Sequence, residues 1–315
     1  MKIFCYIQLG LVLQNHNQCY NASFMKKTVF LITLVLVCFG VSSSCFGEQT
    51  LQAIHIDEPP VIDGVTNDPA WKKAQEIVSL DKVSQLPITL KAVYSDTELY
   101  FQVSFPDQDE SRTHKSWTWD EGREIYTVGH DREDTFILKW NMLPAAVDLS
   151  IFADDPHRAD VWFWKACRTD AAGYADDKNH ILDQKEERGV TKIISRSGKT
   201  MYLLRRGDDG TSAYGIDLIT DYQDKVMPRF IPRQPTGSRS DVKARGIWKD
   251  GIWTIEFRRD LSTGQQDDIK FTTDRQFLFG VSRYEIAGRS PNQGLSAPLY
   301  GTGDVSEPLW LEFIK

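Results

Sequence analysis

The chain has 315 residues, of which 41% are hydrophobic and 26% charged, the balance of a folded globular protein rather than a disordered one. Its formal charge is −7, from 37 basic and 44 acidic residues. Nucleic-acid binding needs a clustered basic surface, and the sequence contains no long run of Lys or Arg, so we exclude a nucleic-acid partner.

The first predicted element is an export signal. From Met25, two lysines precede an apolar run over residues 29–41 and then a stretch of small residues, which is the arrangement of a secretory signal peptide. The apolar run is too short to span a membrane comfortably. We therefore expect cleavage after Ser44 or Gly47 and a periplasmic or otherwise exported protein without a membrane span. A lipoprotein modified at Cys45 is the alternative.

These features divide the chain into two parts. Residues 1–47 are interpreted as an upstream extension plus the export signal, with Met25 as the true start, and residues 50–315 as one continuous domain. Removal of the signal leaves Cys167 as the single cysteine, so no intradomain disulfide can form. The sequence also lacks the C-x-x-C-H motif that attaches a haem covalently.

Alternation of apolar and polar residues predicts strands along most of the domain. The segment "ITLKAVYSDTELYFQVSFPD" predicts a hairpin with its turn at "SDTE", and "GIWKDGIWTIEFRRDL" predicts a second hairpin that turns at Asp250 and Gly251. Further strands are predicted in "DTFILKW", "TMYLLRR", "QFLFGVSRYEI" and "PLWLEFIK". A short helix is predicted in "NDPAWKKAQ", where Asp68 can cap the free N–H groups and Pro69 suits the first helical position.

The many short strands and the sparse helical periodicity predict an all-β fold, an antiparallel β-sandwich with long loops and short helices. The segments expected to be long loops are 106–132, 141–160, 168–200 and 205–245. Loops of this length in a compact domain usually carry function.

Several segments resemble one family. "PPVIDGVTNDPAWKKA" resembles the start of family nine carbohydrate-binding modules and of the related haem-binding domain of ethylbenzene dehydrogenase gamma subunits, also found in cytochrome c-552/DMSO reductase-like proteins. "DREDTFILKW", "DVWFWKACRTDAAGYADD", "PTGSRSDVKARGIWKDGIWTIEFRRDLSTG" and "FLFGVSRYEIAG" resemble the haem-binding family alone. Together these matches run from about residue 59 to residue 290.

The resemblance implies a non-catalytic sandwich that binds haem b non-covalently and exchanges electrons with a redox enzyme subunit or a cytochrome. In the gamma subunits a methionine and a lysine hold the iron. Residues 149–161, where the family methionine is expected, contain none, and Met142 and His157 are the nearest candidate iron ligands. Arg289 stands near the position of the family lysine and is a poor ligand because arginine stays protonated.

Other candidate residues have two interpretations each. Trp162 and Trp164 share one face of a strand, where they either pack in the core or contact a haem edge or a sugar ring. Lys165 points away from that face and is expected at the surface. Arg239 either clamps a haem propionate or makes an ordinary surface ion pair. His157 is a ligand candidate or a solvated loop residue.

Carboxylates add a candidate calcium site, because oxygen clusters suit this hard cation. The predicted groups, which are otherwise solvated loop residues, are Asp131, Glu133 and Asp134, or Asp176 and Asp177. The alternative function is a carbohydrate-binding module with Trp162 and Trp164 as its stacking platform. An enzyme is not expected, because the chain lacks G-x-S-x-G, P-loop and H-E-x-x-H motifs.

Overall fold

Strands make up most of the described chain, which comprises residues 49–81, 84–284 and 304–315 of a computed structural model. Their bounds are β1 (Gln49–His55), β2 (Glu76–Leu80), β3 (Pro87–Tyr94), β4 (Glu98–Pro106), β5 (Trp117–Asp120), β6 (Ile125–Val128), β7 (Thr135–Asn141), β8 (His157–Lys165), β9 (Asp176–Asp183), β10 (Thr191–Ile194), β11 (Thr200–Gly207), β12 (Tyr214–Ile216), β13 (Val226–Met227), β14 (Phe230–Pro232), β15 (Lys243–Lys249), β16 (Ile252–Asp260), β17 (Phe277–Tyr284) and β18 (Leu309–Ile314). Helical structure in these ranges is confined to α1 (Pro69–Lys73) and the 3-10 turns Asp170–Ala172 and Gly237–Ser240.

Thirteen strands form one hydrogen-bonded sheet in the order β10-β11-β9-β8-β7-β17-β18-β1-β3-β4-β16-β15, with β2 added beside β3. Neighbouring strands are antiparallel except at β1, which pairs in parallel with both β18 and β3. The sheet folds back on itself, so that Phe101 of β4 contacts Trp140 of β7, Trp162 of β8 and Phe279 of β17 across the core. The all-β sandwich expected from the sequence is confirmed.

Both predicted hairpins are present. β3 and β4 pair with Ala92 opposite Phe101, and β15 and β16 are joined by Asp250 and Gly251. Both turn residues have positive φ, 53° and 80°, as the tight turn that matches strand twist requires. Helix α1 also forms, but Asp68 makes no side-chain capping bond, so that part of the expectation is wrong.

The four segments expected to be loops contain strands. β5 and β6 lie in the first, β9 and β10 in the third, and β12, β13 and β14 in the fourth, while β8 begins inside the second. The sequence of β9, "DDKNHILD", is polar at its start and suggests a loop. It forms a strand because Asp176, Asp177, Asn179 and His180 are buried between neighbouring elements rather than exposed to water.

Residues Gly47–Lys315 make up one compact unit. None of the helices in the described ranges combines the length and the apolar character that crossing a membrane requires. The predicted signal segment, with Met25 and Cys45, and the candidate Arg289 lie outside the described residues.

The two layers approach closely where Gly246 of β15 faces Trp164 of β8, and this contact yields a prediction. A Cβ atom on Gly246 would lie 2.4 Å from the Trp164 ring, so Gly246→Ala should lower the free energy of unfolding by about 1–3 kcal/mol through overpacking. Urea denaturation measures it. Gly122→Ala is the control, because the nearest atom to its new Cβ is 3.5 Å away. An equal, small effect of both substitutions would contradict the close approach.

Candidate functional site

Trp162 and Trp164 lie in the core. Both side chains are fully buried. Trp162 packs against Phe101, Trp140 and Phe271, and Trp164 packs against Trp253. The indole N–H of Trp164 donates to Asp170 Oδ1 at 2.8 Å. These contacts cover the ring faces, which corrects the expectation that the two tryptophans offer a wall or a stacking platform to a ligand.

The opposite face of β8 carries a second buried layer that begins at His157. This residue is the first of β8 and is 3% exposed, so it is not a solvated loop histidine. Its Nε2 lies 3.1 Å from Nζ of Lys139 on β7, and the same Nζ donates to the Leu149 carbonyl at 2.6 Å. The hydrogen bond from Lys139 therefore keeps Leu149 of segment 142–156 close to His157.

His180 of β9 completes a group of nitrogen-bearing side chains on this face, which we call the basic cluster: Lys139, His157 and His180. His180 pairs with Ala159 in the β8–β9 register, which places it on the same face as His157. Nδ1 of His157 and both ring nitrogens of His180 are buried without a hydrogen-bond partner among the described residues. Such orphaned polar atoms are rare in folded proteins and commonly mark a functional role.

Burial sets the protonation of the basic cluster. Desolvation, reinforced by the Lys139 charge, lowers the pKa of His157 to about 3, and burial likewise lowers the pKa of His180 well below its ordinary value. Burial also lowers the pKa of Lys139 to about 7. Both imidazoles are therefore neutral near pH 7, and the neutral imidazole is the form that binds metals.

Apolar side chains lie beside this cluster. Ile137, Val161 and Leu278 extend from the strands on the same side, and Leu149 packs against them. Charged groups are also near, because the Asp148 and Asp304 carboxylates act on Lys139 and the Arg205 and Lys178 charges act on His180. The layer is therefore desolvated but not purely apolar.

Met142 lies just past the end of β7, where its N–H donates to the carbonyl of Arg158, the residue after His157. It lines a cavity of about 250 Å³ together with Asp268 from the inner side of the sheet and Leu278 from the outer side. Met142 and His157 are therefore close along the β7–β8 pair, but only His157 contacts Lys139 of the basic cluster.

Asp176 forms ion pairs with both Lys165 and Arg239. Lys165 is 2% exposed and forms a buried ion pair with Asp176, so the expectation of a surface lysine is wrong. It is buried because Asp176 of the neighbouring strand β9 pairs with it and the Tyr214 ring lies 5.2 Å from its Nζ. An Arg239 guanidinium nitrogen lies 2.8 Å from Asp176 Oδ1, so this residue makes an internal ion pair and does not present a free clamp for a propionate.

Protein donors bind most of the carboxylates considered for calcium. Asp131 accepts hydrogen bonds from Ser116, and Glu133 from the backbone N–H groups of Cys167 and Arg168. Asp134 accepts from the Ser111 N–H and from the Trp253 indole. These three side chains therefore organise the loops around β7. Asp177 differs, because neither of its oxygens has a partner among the described residues.

Lys139 and His180 were not predicted as site residues from the sequence. Lys139 stands alone in the apolar strand "FILKW", and a lysine in the middle of a buried strand is a signal that could have identified it. His180 lies in segment 168–200, which was expected to be a loop because its strand β9 begins with charged residues.

The chain is similar to known proteins both in sequence and in fold. The family model described as ethylbenzene dehydrogenase matches residues 68–289. No curated protein matches the chain. A family nine carbohydrate-binding module from Caldicellulosiruptor kristjanssonii, solved in complex with cellotriose, is similar at 10% identity and a TM-score of 0.37 over 85% of this chain and 95% of that chain. A structure with glucose from the same organism gives 10% identity and a TM-score of 0.39 over 84% and 96%.

The buried His157 predicts a specific pH dependence of stability. Its folded-state pKa of about 3 lies below the unfolded value of about 6.5, so only the unfolded chain binds this proton between those values. Stability is lost as the pH falls below 6.5. Between pH 6.5 and 5, the free energy of unfolding of the wild type should fall relative to that of His157→Gln by about 1 kcal/mol per pH unit.

Urea denaturation at several pH values, without added haem, measures this difference. His130→Gln is the matched control, since His130 is exposed and its replacement should leave the pH dependence of the wild type. Parallel curves for His157→Gln and the wild type would show that His157 binds its proton in the folded state.

Proposed function

The chain belongs to the ethylbenzene dehydrogenase family, and from that premise we propose that it is a non-catalytic, haem b-binding electron-transfer domain of an exported redox system. The observation that carries this proposal is the basic cluster, in which two neutral imidazoles and a lysine lie in a desolvated layer with nitrogen atoms that have no partner. A redox enzyme subunit or a cytochrome is the partner that such a domain serves.

The donor set of the basic cluster suits haem iron. Iron in haem proteins takes nitrogen or sulfur axial ligands, and a neutral imidazole is one of the commonest. We assign His157 as the residue that would hold the iron, because it is a buried, neutral imidazole whose Nε2 lies beside Lys139. When bound, haem supplies a one-electron iron couple.

The chain's own residues have separate tasks in this proposal. Lys139 orients the His157 ring through Nε2 and ties down segment 142–156 through the Leu149 carbonyl. Ile137, Val161 and Leu278 offer apolar contacts to a flat macrocycle and exclude water. Since Leu149 covers the cluster, entry of a haem requires this segment to be displaced.

Carbohydrate binding is the second candidate function, and one observation favours it at a place other than the buried tryptophans. Trp119 of the small sheet β13-β5-β6 lies 5.0 Å from Tyr126 and 5.1 Å from Tyr222 between ring centroids. Tyr222 is 54% exposed and Trp119 is partly exposed. Aromatic rings that keep an accessible face can pack on an apolar ligand surface such as a sugar ring.

Haem reconstitution tests the leading proposal. The purified full chain, incubated with hemin and passed through a desalting column, should retain a Soret absorption band. His157→Ala should lose retention or shift this band, whereas His130→Ala, an exposed histidine, should match the wild type. Met142→Ala should also match the wild type, because Met142 is not a member of the basic cluster.

Absence of a Soret band in the wild type after reconstitution would refute haem binding. A band that is abolished in Met142→Ala and kept in His157→Ala would retain haem binding but refute His157 as the ligand.

Titration with cellotriose and a glycan array test the second candidate. Trp119→Ala should abolish any binding that is observed, since it removes the central ring of the exposed aromatic group. Tyr202→Ala, which removes a partly exposed aromatic ring from β11, is the control. Binding that survives Trp119→Ala would place the sugar elsewhere, and no binding to any glycan would exclude this function.

A further inference from the structure

A cluster of ionisable side chains lies on the inner face of the sheet, on the side of β8 and β9 that faces the core. Asp160 belongs to β8, Asp177 to β9, and Asp268 to the connection between β16 and β17. One oxygen from each of these three buried carboxylates lies within 4.8 Å of the others. We call this group the acidic cluster.

Arg259 of β16 neutralises part of this charge. Its guanidinium lies 3.1 Å from Asp160 Oδ2 and 3.0 Å from Asp268 Oδ2, and it is fully buried. The Ile269 N–H also donates to Asp160 Oδ2 at 2.9 Å. One guanidinium faces three carboxylates, so ionised aspartates leave two negative charges uncompensated among these four side chains.

Asp177 is the residue whose surroundings indicate that the acidic cluster binds a ligand. It is fully buried, and neither of its oxygens accepts a hydrogen bond from an N–H or hydroxyl group within the described ranges. The side chain at hydrogen-bond distance from it is another carboxyl, that of Asp160. Asp160 Oδ1 is buried and unpartnered as well. A buried carboxylate without a donor costs several kcal/mol, so the fold needs either a cation or a proton at this point.

We propose that Asp160, Asp177 and Asp268 bind one calcium ion. The available donors are carboxylate oxygens, which suit hard cations and not zinc or copper. Calcium bonds oxygen at about 2.3–2.6 Å, so oxygens up to about 4.6–5.2 Å apart can reach one ion, and the three oxygens of the acidic cluster lie within 4.8 Å of one another. Calcium tolerates flexible ligand geometry, whereas magnesium demands near-ideal octahedral geometry.

An open cavity lies beside residues that flank the acidic cluster. It has a volume of about 540 Å³ and is lined by Asn179, Asp208 and Asp267 but by none of the three cluster residues. Asn179 pairs with Asp160 in the β8–β9 register, and Asp267 precedes Asp268 in the chain. Asp208 Oδ2 is buried and unpartnered, so it is a further carboxylate oxygen at this cavity.

Bound calcium would join three separate parts of the chain. Asp160 and Asp177 are on adjacent strands of one layer, while Asp268 follows β16 of the other layer. The ion would therefore complete the charge balance that Arg259 begins and would hold the two layers together.

Calcium and terbium titrations of the full chain test this site. Trp162 lies near it, because the Arg259 guanidinium carbon is 5.5 Å from the Trp162 ring, so terbium bound there should show tryptophan-sensitised emission that calcium quenches by competition. The wild type, freed of metal with a chelator, should bind one calcium ion per chain and show a higher Tm with calcium than without it.

Asp177→Asn, which keeps the shape and removes the charge, should weaken calcium binding at least tenfold and abolish the calcium-dependent rise in Tm. Asp209→Asn is the control, since Asp209 is exposed and lines the same cavity. If Asp177→Asn does not fold, Asp268→Asn provides the same comparison.

Two results would overturn the proposal. The first is a wild type that binds no calcium at millimolar concentration and neutral pH, which would mean that protons occupy the acidic cluster. The second is calcium binding that is equal in the wild type, Asp177→Asn and Asp268→Asn, which would place the ion elsewhere. Neither result bears on haem retention, which depends on the opposite face of the sheet.

Discussion

The burial of β8 on both faces is the constraint on which the rest of the molecule depends. A strand alternates its side chains between two faces, and seven of the nine residues of β8 are buried, with Arg158 and Phe163 partly exposed. The inner side receives Trp162, Trp164 and Asp160, and the outer side receives His157 and Lys165. Each polar member then needs a partner from a neighbouring strand, because an unpaired polar group inside a protein is costly. Lys165 finds Asp176 on β9, and Asp160 finds Arg259 on β16.

After this pairing, polar atoms without a hydrogen-bond partner remain on both faces of β8 and β9, and they differ in element and charge. The outer face retains neutral nitrogen donors in the basic cluster, and the inner face retains unpartnered carboxylate oxygens in the acidic cluster. One sheet separates them, so they cannot neutralise each other by direct contact. Nitrogen donors suit haem iron, whereas oxygen donors suit calcium. The two clusters therefore differ in the ligand chemistry that their donor atoms suit.

The sequence was informative where local chemistry determines structure. The turn at Asp250 and Gly251 and the shared face of Trp162 and Trp164 follow from the strand period and from turn geometry, and both are present. The two-residue alternation along a strand does not indicate what covers its second face, and for that reason Lys165 was expected to be exposed to solvent. β9 was missed because its Asp176 and Asp177 suggest a loop. Their burial depends on partners distant in the chain, such as Arg239 and Arg259, which no local pattern reveals.

The placement of Met142 limits how this chain could resemble the gamma subunits in iron ligation. Met142 follows the end of β7 and lines a cavity with Asp268 and Leu278, whereas the His157 ring contacts Lys139. Of these two residues, only His157 belongs to the basic cluster. Lys139 and His180 are the nitrogen donors that share the face of His157, and Lys139 is the more constrained, since its Nζ also holds the Leu149 carbonyl. His180, whose ring has no hydrogen bond among the described residues, is therefore the least constrained member of the basic cluster.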